Sequence, residues 1–279
     1  MTDEGARKRE ESRRVFSDAA ATYDRIGPRN FSYFGERLIK VAEIPPGAKV
    51  LDVASGRGAV LFPAIEKVGS TGHIVGIDFS PAMVSETSKD IESRKITEAE
   101  IRQMDAEQMD FANAVFDYVT CGFAIWMFAE PQRVLQEFHR VLKPGGRVAL
   151  STWSADNPSQ TWCHSILRAY TPVGGRRGAL SKNDSRFDTP AQLETALHAA
   201  GFTEIRIAVE EKEFVYANED EYWLSLWSAG IRRQLEKMTA EILDRAKRDV
   251  FLRLQEVRKP DGFHKVQRAL FAFGMKLAP

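Results

Sequence analysis

The residues best suited to chemistry lie around a glycine-containing turn. The segment VLDVASGRGAV at 50–60 joins an apolar run to a turn that holds Gly56 and Gly58, and Asp52 stands near the end of the run. Glycine lacks a Cβ, so the backbone of such a turn can adopt unusual dihedral angles and approach a bound molecule closely. Asp52 could orient this loop or receive an ammonium group. An ordinary turn between a strand and a helix would have the same pattern.

A second acidic residue follows at a spacing typical of nucleoside sites. Asp78 comes twenty residues after Gly58 and ends the apolar run in HIVGIDFSPAMV. An acidic side chain at the end of a second strand accepts hydrogen bonds from ribose hydroxyls in many α/β sites. A dinucleotide fingerprint would need a third glycine at position 61, where this chain has Leu61. The sequence therefore favours a nucleoside ligand and weakens the case for a pyrophosphate.

A third segment, MDAEQMDF at 104–111, offers partners for the base of such a nucleoside. Asp105 could accept a hydrogen bond from an adenine amino group, and the backbone N–H of Ala106 could bind a ring nitrogen. Met83, in the helix predicted after Asp78, could pack on the adenine face. A methionine at helical spacing is also typical of a protein core.

These residues are positioned by alternating strand-like and helix-like segments. Strands are predicted at KVLDVA, HIVGID, EIRQMD, FDYVTCGF and RVALSTW, with helices from about residues 58, 81 and 131. Such alternation predicts an α/β fold with a parallel sheet and crossover helices. Helices are also predicted at 5–20, at 32–43 and after Thr189. One or two strands over EIRIAVEEKEFVYA and an amphipathic helical region at 219–258 follow.

Together these segments resemble the class I S-adenosylmethionine-dependent methyltransferases, and more closely the type 11 branch of ubiquinone and menaquinone C-methyltransferases and related small-molecule enzymes. The resemblance covers about residues 15–153. LDVASGRG is similar to the first motif, which commonly reads LDxGCGTG; GIDFSPAMV, DAEQMDF, FDYVTCGFAIWMF and HRVLKPGGRVALSTW are similar to later ones. The family implies a Rossmann-like, seven-stranded, mostly parallel sheet with helices on both faces and an antiparallel last strand. The run after Gly201 would supply the last two strands.

The resemblance implies S-adenosylmethionine as the cofactor and a set of residues around it. Positions implied for the methionine end, the ribose, the adenine and the space below the methyl group are, in that order, Asp52, Ala54, Gly56 and Gly58; Asp78; Asp105 and Ala106; and Gly122 and Phe123. VFSDAAATYD at 15–24 also resembles this branch, in which the tyrosine, here Tyr23, reaches the cofactor's carboxylate. Tyr23 could equally be an aromatic residue packed between helix and core.

The same resemblance divides the chain into four parts. Residues 1–45 form an N-terminal helical lid, and 46–153 form the cofactor-binding core. Residues 154–188 are an insertion that caps the acceptor pocket, because their prolines, glycines and aromatic residues interrupt the alternation. Residues 189–279 complete the sheet and end in a helical region.

Aromatic residues suit the acceptor pocket that these parts would enclose. The predicted pocket residues are Phe31, Phe34, Trp126, Trp153, Trp162 and Tyr216. Aromatic faces bind flat, apolar acceptors such as an indole, a phenol, a quinone or a prenyl chain, and they can stabilise a cation. Core or subunit-interface packing would account for the same residue types.

His164, in the insertion, is the candidate general base for an oxygen or ring-nitrogen acceptor. Methyl transfer is an in-line displacement, so positioning alone can supply much of the acceleration. The sequence predicts transfer to a carbon or oxygen of a small apolar or aromatic acceptor, such as a natural product or a prenylated or quinone-like molecule, in secondary metabolism. The alternatives are a methyltransferase-fold protein that catalyses a non-methyl reaction such as cyclisation, and a regulatory cofactor binder.

Composition limits the partners and the compartment. Lys plus Arg and Asp plus Glu both number 39, so no net charge attracts nucleic acid or a membrane. No stretch reaches roughly 18 apolar residues and no signal peptide is visible, which predicts a cytoplasmic protein. Cys121 and Cys163 have no metal-like spacing, so no metal is expected. The polar N-terminal helix must dock on its own core or on another subunit, which would make a homo-oligomer.

Overall fold

The computed structural model describes residues 3–157, 161–170 and 187–278. Two short 3₁₀ turns, Gly69–Thr71 and Ile125–Met127, accompany its helices and strands. In chain order these elements are α1 (Asp3–Ala19), α2 (Asn30–Ala42), β1 (Lys49–Val53), α3 (Leu61–Val68), β2 (His73–Asp78), α4 (Pro81–Ser93), β3 (Ala99–Gln103), β4 (Phe116–Gly122), α5 (Pro131–Val141), β5 (Leu142–Trp153), α6 (Thr161–Tyr170), α7 (Pro190–Ala199), β6 (Phe202–Tyr216), α8 (Glu219–Trp227), α9 (Arg232–Leu235), α10 (Ala240–Glu256), β7 (Arg258–Lys259) and β8 (Gly262–Lys276).

One sheet organises the molecule, with the strand order β3-β2-β1-β4-β5-β8-β6. The first five strands of this order pair in parallel. β8 lies antiparallel between β5 and β6, and the short β7 pairs with β8. The carboxyl ends of the parallel strands therefore meet at one edge, where α/β sheets bind their ligands. The predicted Rossmann-like fold with its antiparallel last strand is confirmed.

The origin of the last two strands corrects the prediction. Residues 202–216 form one continuous strand, and the last strand, β8, comes from 262–276, beyond the helices α8 to α10. β8 is fixed by pairing with distant segments: Phe271 lies opposite Ser151 on one side and Ala208 on the other. Such non-local pairing leaves no signature in the local sequence pattern.

The apolar core has two parts on the sheet and a third part away from it. One part includes α5 and α7, and another includes α2 and α3. The third joins α6 to the C-terminal helices: Cys163 and Leu167 are buried with Trp223, Leu235 and Val250. The described part of the insertion therefore packs on the C-terminal helices. No helix in the described ranges is long and apolar enough to span a membrane.

A close backbone approach joins α2 to the start of α3. A Cβ added to Gly35 would lie 2.1 Å from the carbonyl oxygen of Ala59, in the segment that follows the glycine turn. Because side-chain atoms never come this close to a backbone oxygen, only glycine permits this packing.

α7 begins as its sequence predicts, since Thr189 accepts a hydrogen bond from the backbone N–H of Gln192 and Pro190 follows.

Candidate active site

A cavity of about 560 Å³ lies at the carboxyl ends of β1, β2, β3 and β4. This volume falls within the roughly 300–1,000 Å³ typical of small-molecule sites. All the cofactor residues predicted from the sequence line it, namely Tyr23, Asp52, Ala54, Gly56, Gly58, Asp78, Met83, Asp105, Ala106, Gly122 and Phe123. The structure thus brings together segments that are far apart in the chain, while their contact with a cofactor stays a prediction.

The glycine turn has a left-handed backbone at three positions. Ala54, Gly56 and Gly58 have φ values of 56°, 52° and 79°. A Cβ on Gly56 would meet no atom within 4 Å, whereas one on Gly58 would lie 2.4 Å from the ring of Phe62. Gly56 therefore keeps space open above the turn, and Gly58 lets α3 pack beneath it. Ala54 occupies a position where the related motif commonly has glycine.

Asp52 carries a carboxylate oxygen without a partner. Its side chain is buried, and Oδ1 accepts a 2.8 Å hydrogen bond from the hydroxyl of Thr120. Oδ2 is buried with no hydrogen-bond donor among the described residues. Burial is the main reason why the pKa of Asp52 rises to about 7. A cationic ligand group would compensate this oxygen, so the site fits the ammonium group of an amino acid.

Asp78 links two of the loops that line the cavity. Its carboxylate accepts 2.8 Å hydrogen bonds from the backbone N–H of Gly56 and of Ser80, the N-cap of α4. Burial raises its pKa to about 6, although these backbone donors act in the opposite direction. Each carboxylate oxygen has a second lone pair. Asp78 can therefore orient both loops and still accept hydrogen bonds from ribose hydroxyls.

The predicted adenine end contains two charged residues that the sequence did not single out. Arg9 Nη1 donates to Asp105 at 3.1 Å and to Glu107 at 3.0 Å. Glu107 also accepts hydrogen bonds from the backbone N–H groups of Ala129 and Glu130, at the start of α5. Glu107 lies within the DAEQMDF motif, which could have identified it. Arg9 lies 96 positions before Asp105, so no local sequence pattern could indicate its role.

The N-terminal helix packs across the cavity on its own core. α1 contacts α4 and α9, and the side chains of Phe16 and Tyr23 line the cavity. The Tyr23 ring stacks on Phe31, with 5.3 Å between centroids. Burial raises the pKa of Tyr23, so its phenol is neutral. Of the two docking modes that the sequence left open, the structure shows docking within one chain.

Asp24, next to Tyr23, has a role that the sequence did not reveal. The residue at the N-cap of α2 is Arg29, whose side chain has no acceptor and makes no cap hydrogen bond. The carboxylate of Asp24 takes this place and accepts hydrogen bonds from the backbone N–H groups of Phe31 and Ser32. Burial raises the pKa of Asp24 despite these donors. The cap fixes Phe31, the ring on which Tyr23 stacks.

Most of the predicted acceptor-pocket residues lie away from the cavity lining, so their contact with an acceptor stays a prediction. Of the six, Phe31 lines the cavity and the other five are not among its described lining residues. Two form an aromatic layer behind the lining. The ring centroid of Trp153 lies 4.3 Å from that of Phe123, and the ring centroid of Phe34 lies 5.6 Å from that of Trp153.

The other three predicted pocket residues lie elsewhere. Tyr216 is buried and packs on Tyr222. Trp162 stacks on the same tyrosine, Tyr222, with 5.9 Å between the ring centroids. Trp126 is 42% exposed. Residue type alone did not distinguish a ligand pocket from a helix interface.

His164 does not reach the cavity. It is exposed on α6, and the described lining residues do not include it. The reason is the amphipathic character of α6, which buries Cys163 and Leu167 against the C-terminal helices and leaves His164 at the surface. The prediction of His164 as a general base is therefore not supported by its position. In the described residues no cluster of His, Cys, Asp or Glu could hold a metal.

Comparison with known proteins gives a consistent result. Residues 44–201 match the profile of a family described as a methyltransferase domain. The chain is 33% identical to nocamycin O-methyltransferase from Saccharothrix syringae over 229 residues, which cover 78% of this chain and 81% of that protein. It is 28% identical to demethylmenaquinone methyltransferase from Staphylococcus saprophyticus, over 74% of this chain and 94% of that one. The fold of the Bacillus subtilis YcgJ protein is similar, with a TM-score of 0.59 and 20% identity over 88% of this chain and 100% of that chain.

Proposed function

The chain belongs to the class I S-adenosylmethionine-dependent methyltransferases, and we propose that it methylates an oxygen or carbon of a small apolar or aromatic natural product. A match to methyltransferases over about three quarters of the chain disfavours the two alternatives, a cyclase and a regulatory binder. The relatives are named for small organic acceptors, nocamycin and demethylmenaquinone. We keep the cytoplasm as the expected location.

The observation that carries the proposed acceptor class is an aromatic wall at one end of the cavity. Phe31 meets Phe123 edge to face at 5.5 Å and stacks on Tyr23. Phe16 meets Tyr23 at 5.9 Å, and all four residues line the cavity. Gly122 and Phe123 lie next to the predicted methyl position, so a flat acceptor would contact ring faces there.

The acidic residues that line the cavity are suited to the polar groups of the cofactor. S-adenosylmethionine supplies an electrophilic methyl group when it is bound. In our proposal Asp52 receives its ammonium group, Asp78 binds its ribose hydroxyls and Asp105 its adenine amino group. α1 packs across the cavity, and this cover would keep water from the reacting atoms.

The lining residues also indicate which acceptors would need the least assistance from a general base. No histidine is among the cavity residues that the structure describes, and the carboxylate of Asp24 is occupied by the backbone of α2. We therefore expect an acceptor that ionises readily, such as an enol, a phenol or a carbon acid. Positioning against the methyl group would then supply most of the acceleration.

A labelled methyl group tests this proposal directly. The purified protein is incubated with methyl-deuterated S-adenosylmethionine and a panel of enols, phenols and prenylated quinols, and products are identified by mass spectrometry. We expect a mass shift in at least one of these classes and a much smaller yield with the Asp78→Ala variant at a cofactor concentration near the wild-type Kd. Transfer to RNA or protein only, or tight cofactor binding with no transfer to any acceptor, would contradict the proposal.

The partners follow from the same geometry. We propose that the partner is a small molecule and that any homo-oligomer forms without exchange of α1, because α1 rests on α4 and α9 of its own chain. Light scattering of the intact protein and of a variant lacking residues 1–22 tests this. An oligomer that becomes a monomer on deletion would indicate exchange.

A further inference from the structure

A buried arginine stands in the middle of the glycine turn. The side chain of Arg57, between Gly56 and Gly58, is only 6% exposed. A buried guanidinium needs charged or polar partners, because an unpaired one would lose its hydration without compensation. The related motif commonly has threonine at this position, which could not reach as far. The partners of Arg57 therefore show what this residue adds to the turn.

One partner is the end of the N-terminal helix. Arg57 Nη1 donates to the backbone carbonyl of Ala20, the residue directly after α1. The last carbonyls of a helix lack partners within the helix and carry the negative end of its dipole. A cation placed there both satisfies the carbonyl and stabilises the helix end. Arg57 is thus a C-terminal cap that comes from a different part of the chain.

The other partners are two carboxylates of α4: Asp90, and Glu86, whose Oε2 lies 3.5 Å from Arg57 Nη1. Arg57 Nη2 donates to Asp90 Oδ2 at 2.8 Å, and the same oxygen accepts a hydrogen bond from Arg25. Ala20 and Arg25 lie on the two sides of Tyr23 in the sequence. The chain is therefore fastened before and after Tyr23 by one network, which we call the Arg57 latch: Ala20 carbonyl, Arg25, Arg57 and Asp90.

From these contacts we propose that Arg57 is a positioning residue that couples the glycine turn to the docking of α1. Its backbone belongs to the turn that would hold the methionine end of the cofactor, and its side chain holds the segment that carries Tyr23 over the same end. A change in the turn on cofactor binding reaches α1 through this side chain, and α1 in turn limits the motion of the turn. The inference rests on cofactor binding and not on the identity of the acceptor.

A purely structural arginine would behave differently. If Arg57 only filled buried space, its removal would lower the stability of the whole domain and leave the ratio of docked to undocked α1 unchanged. If it couples the two segments, its removal loosens α1 selectively and weakens binding at the turn. Hydrogen exchange resolved by peptide separates these cases, because it measures α1 and the sheet in the same sample.

The experiment compares Arg57→Met and Arg57→Lys with the control Lys89→Met. Lys89 pairs with Glu86, the α4 carboxylate that also lies 3.5 Å from Arg57 Nη1, but Lys89 is largely exposed. Lys89→Met therefore tests the loss of a charge beside the network while every contact of Arg57 is kept. Amide exchange of residues 9–23 is measured with and without S-adenosylhomocysteine, together with its Kd by calorimetry. Asp90→Asn serves as a second variant that releases Arg57 and Arg25 without changing the turn.

We expect Arg57→Met and Asp90→Asn to exchange faster in residues 9–23, with protection of β1 and β4 unchanged. Both should bind S-adenosylhomocysteine about tenfold more weakly or worse, since a charge-assisted hydrogen bond is lost. Arg57→Lys should recover part of both effects, and Lys89→Met should match the wild type. Wild-type protection of α1 and wild-type affinity in both Arg57→Met and Asp90→Asn would overturn the proposal. Uniform loss of protection throughout the domain would also overturn it.

Discussion

The guanidinium of Arg9 lies 3.1 Å from the carboxylate of Asp105, 96 positions later in the chain. The carboxylate predicted to bind adenine is thus already in contact with the helix that covers the cavity. Because Arg9 also binds Glu107, which accepts hydrogen bonds from the loop just before α5, one side chain joins α1 to two loops at the adenine end. This relationship suggests that α1 controls how fast the nucleoside leaves.

We expect Arg9→Met to speed the dissociation of S-adenosylhomocysteine about tenfold, the effect of losing roughly 1.4 kcal/mol from a partly buried charged pair. Surface plasmon resonance with the immobilised protein gives this rate. Arg7→Met is the matched control, because Arg7 is an exposed residue of the same helix. A slower dissociation in Arg9→Met would instead mean that Arg9 competes with the adenine for Asp105.

Asp52 should make the free protein less stable as the pH rises. Its pKa is about 7 in the folded state against 3.8 for an aspartate exposed to water, so the folded chain holds a proton that the unfolded chain releases between these values. The free energy of unfolding therefore falls across this window by up to about 4 kcal/mol. Asp52→Asn keeps an acceptor for Thr120 and should be more stable than the wild type at pH 8 but equal to it near pH 4.

Urea unfolding without ligand between pH 4 and pH 8 measures this difference. Asp117→Asn is a control of opposite sign: burial opposes ionisation there, but Lys143 and the backbone N–H of Lys49 hold the pKa of Asp117 below its usual value. Asp117→Asn should therefore be less stable than the wild type by a nearly constant amount between pH 4 and pH 8, because the stabilisation by the ionised carboxylate is already complete above its unfolded pKa of 3.8. If Asp52→Asn were destabilised at pH 8, the Asp52 carboxylate would have a cationic partner in the free protein.

Asp78→Ala should weaken S-adenosylmethionine binding by about 1.5–3 kcal/mol, because two ribose hydroxyls lose a charged acceptor. The structure adds a second effect, since the backbone N–H groups of Gly56 and Ser80 lose their acceptor as well. Asp78→Asn keeps one acceptor oxygen and should lie between the wild type and Asp78→Ala. Titration calorimetry measures the affinity and circular dichroism checks the fold. Unchanged affinity in a folded Asp78→Ala protein would remove Asp78 from the site.

The two glycines of the turn should fail in different ways. Gly56→Ala places a Cβ in open space within the cavity, so it should cost about 1–2 kcal/mol of backbone strain and sharply weaken cofactor binding. Gly58→Ala drives a Cβ into the ring of Phe62 and should mainly lower the melting temperature. Adding Phe62→Leu should restore part of the stability of Gly58→Ala. It should do nothing for binding by Gly56→Ala, and a rescue there would assign both glycines to packing.

Deletion of residues 1–22 should leave a folded core with sharply reduced turnover, since α1 covers the cavity while the strands of the sheet pair with one another and not with α1. Tyr23→Phe keeps the ring stacked on Phe31 and should cause only part of this loss. Tyr23→Ala, which also loses the stacking, should be worse than Tyr23→Phe. Steady-state kinetics with the acceptor found by methyl labelling compares the three proteins. Full activity in the truncated protein would exclude a role for α1.

The parts of the fold that could be predicted are those with local signals. β1 to β5 combine apolar runs with turns, and the cofactor residues stand at the ends of those runs, so motif and position agree. β8 could not be placed, because its position depends on pairing with β5 and β6. The sequence of β8 itself does not indicate which strands it pairs with.

The candidate site shows the same division. Gly56 and Asp78 belong to motifs, whereas Arg9 and Arg57 act through partners from distant segments. The exposed position of His164 was hidden for a related reason: the sequence shows that α6 is amphipathic but not what it packs against. In the structure the C-terminal helices bury its apolar side.

The contact between Gly35 and Ala59 decides which part of the lid can move. Because no side chain fits between α2 and the start of α3, we expect these two helices to move together. Opening of the cavity would then come from α1 and from the turn after it, between Ala20 and Asn30. We therefore expect the segment at 1–45, which looks like one lid in the sequence, to behave as two pieces: α2, packed on the core, and α1, which carries Arg9.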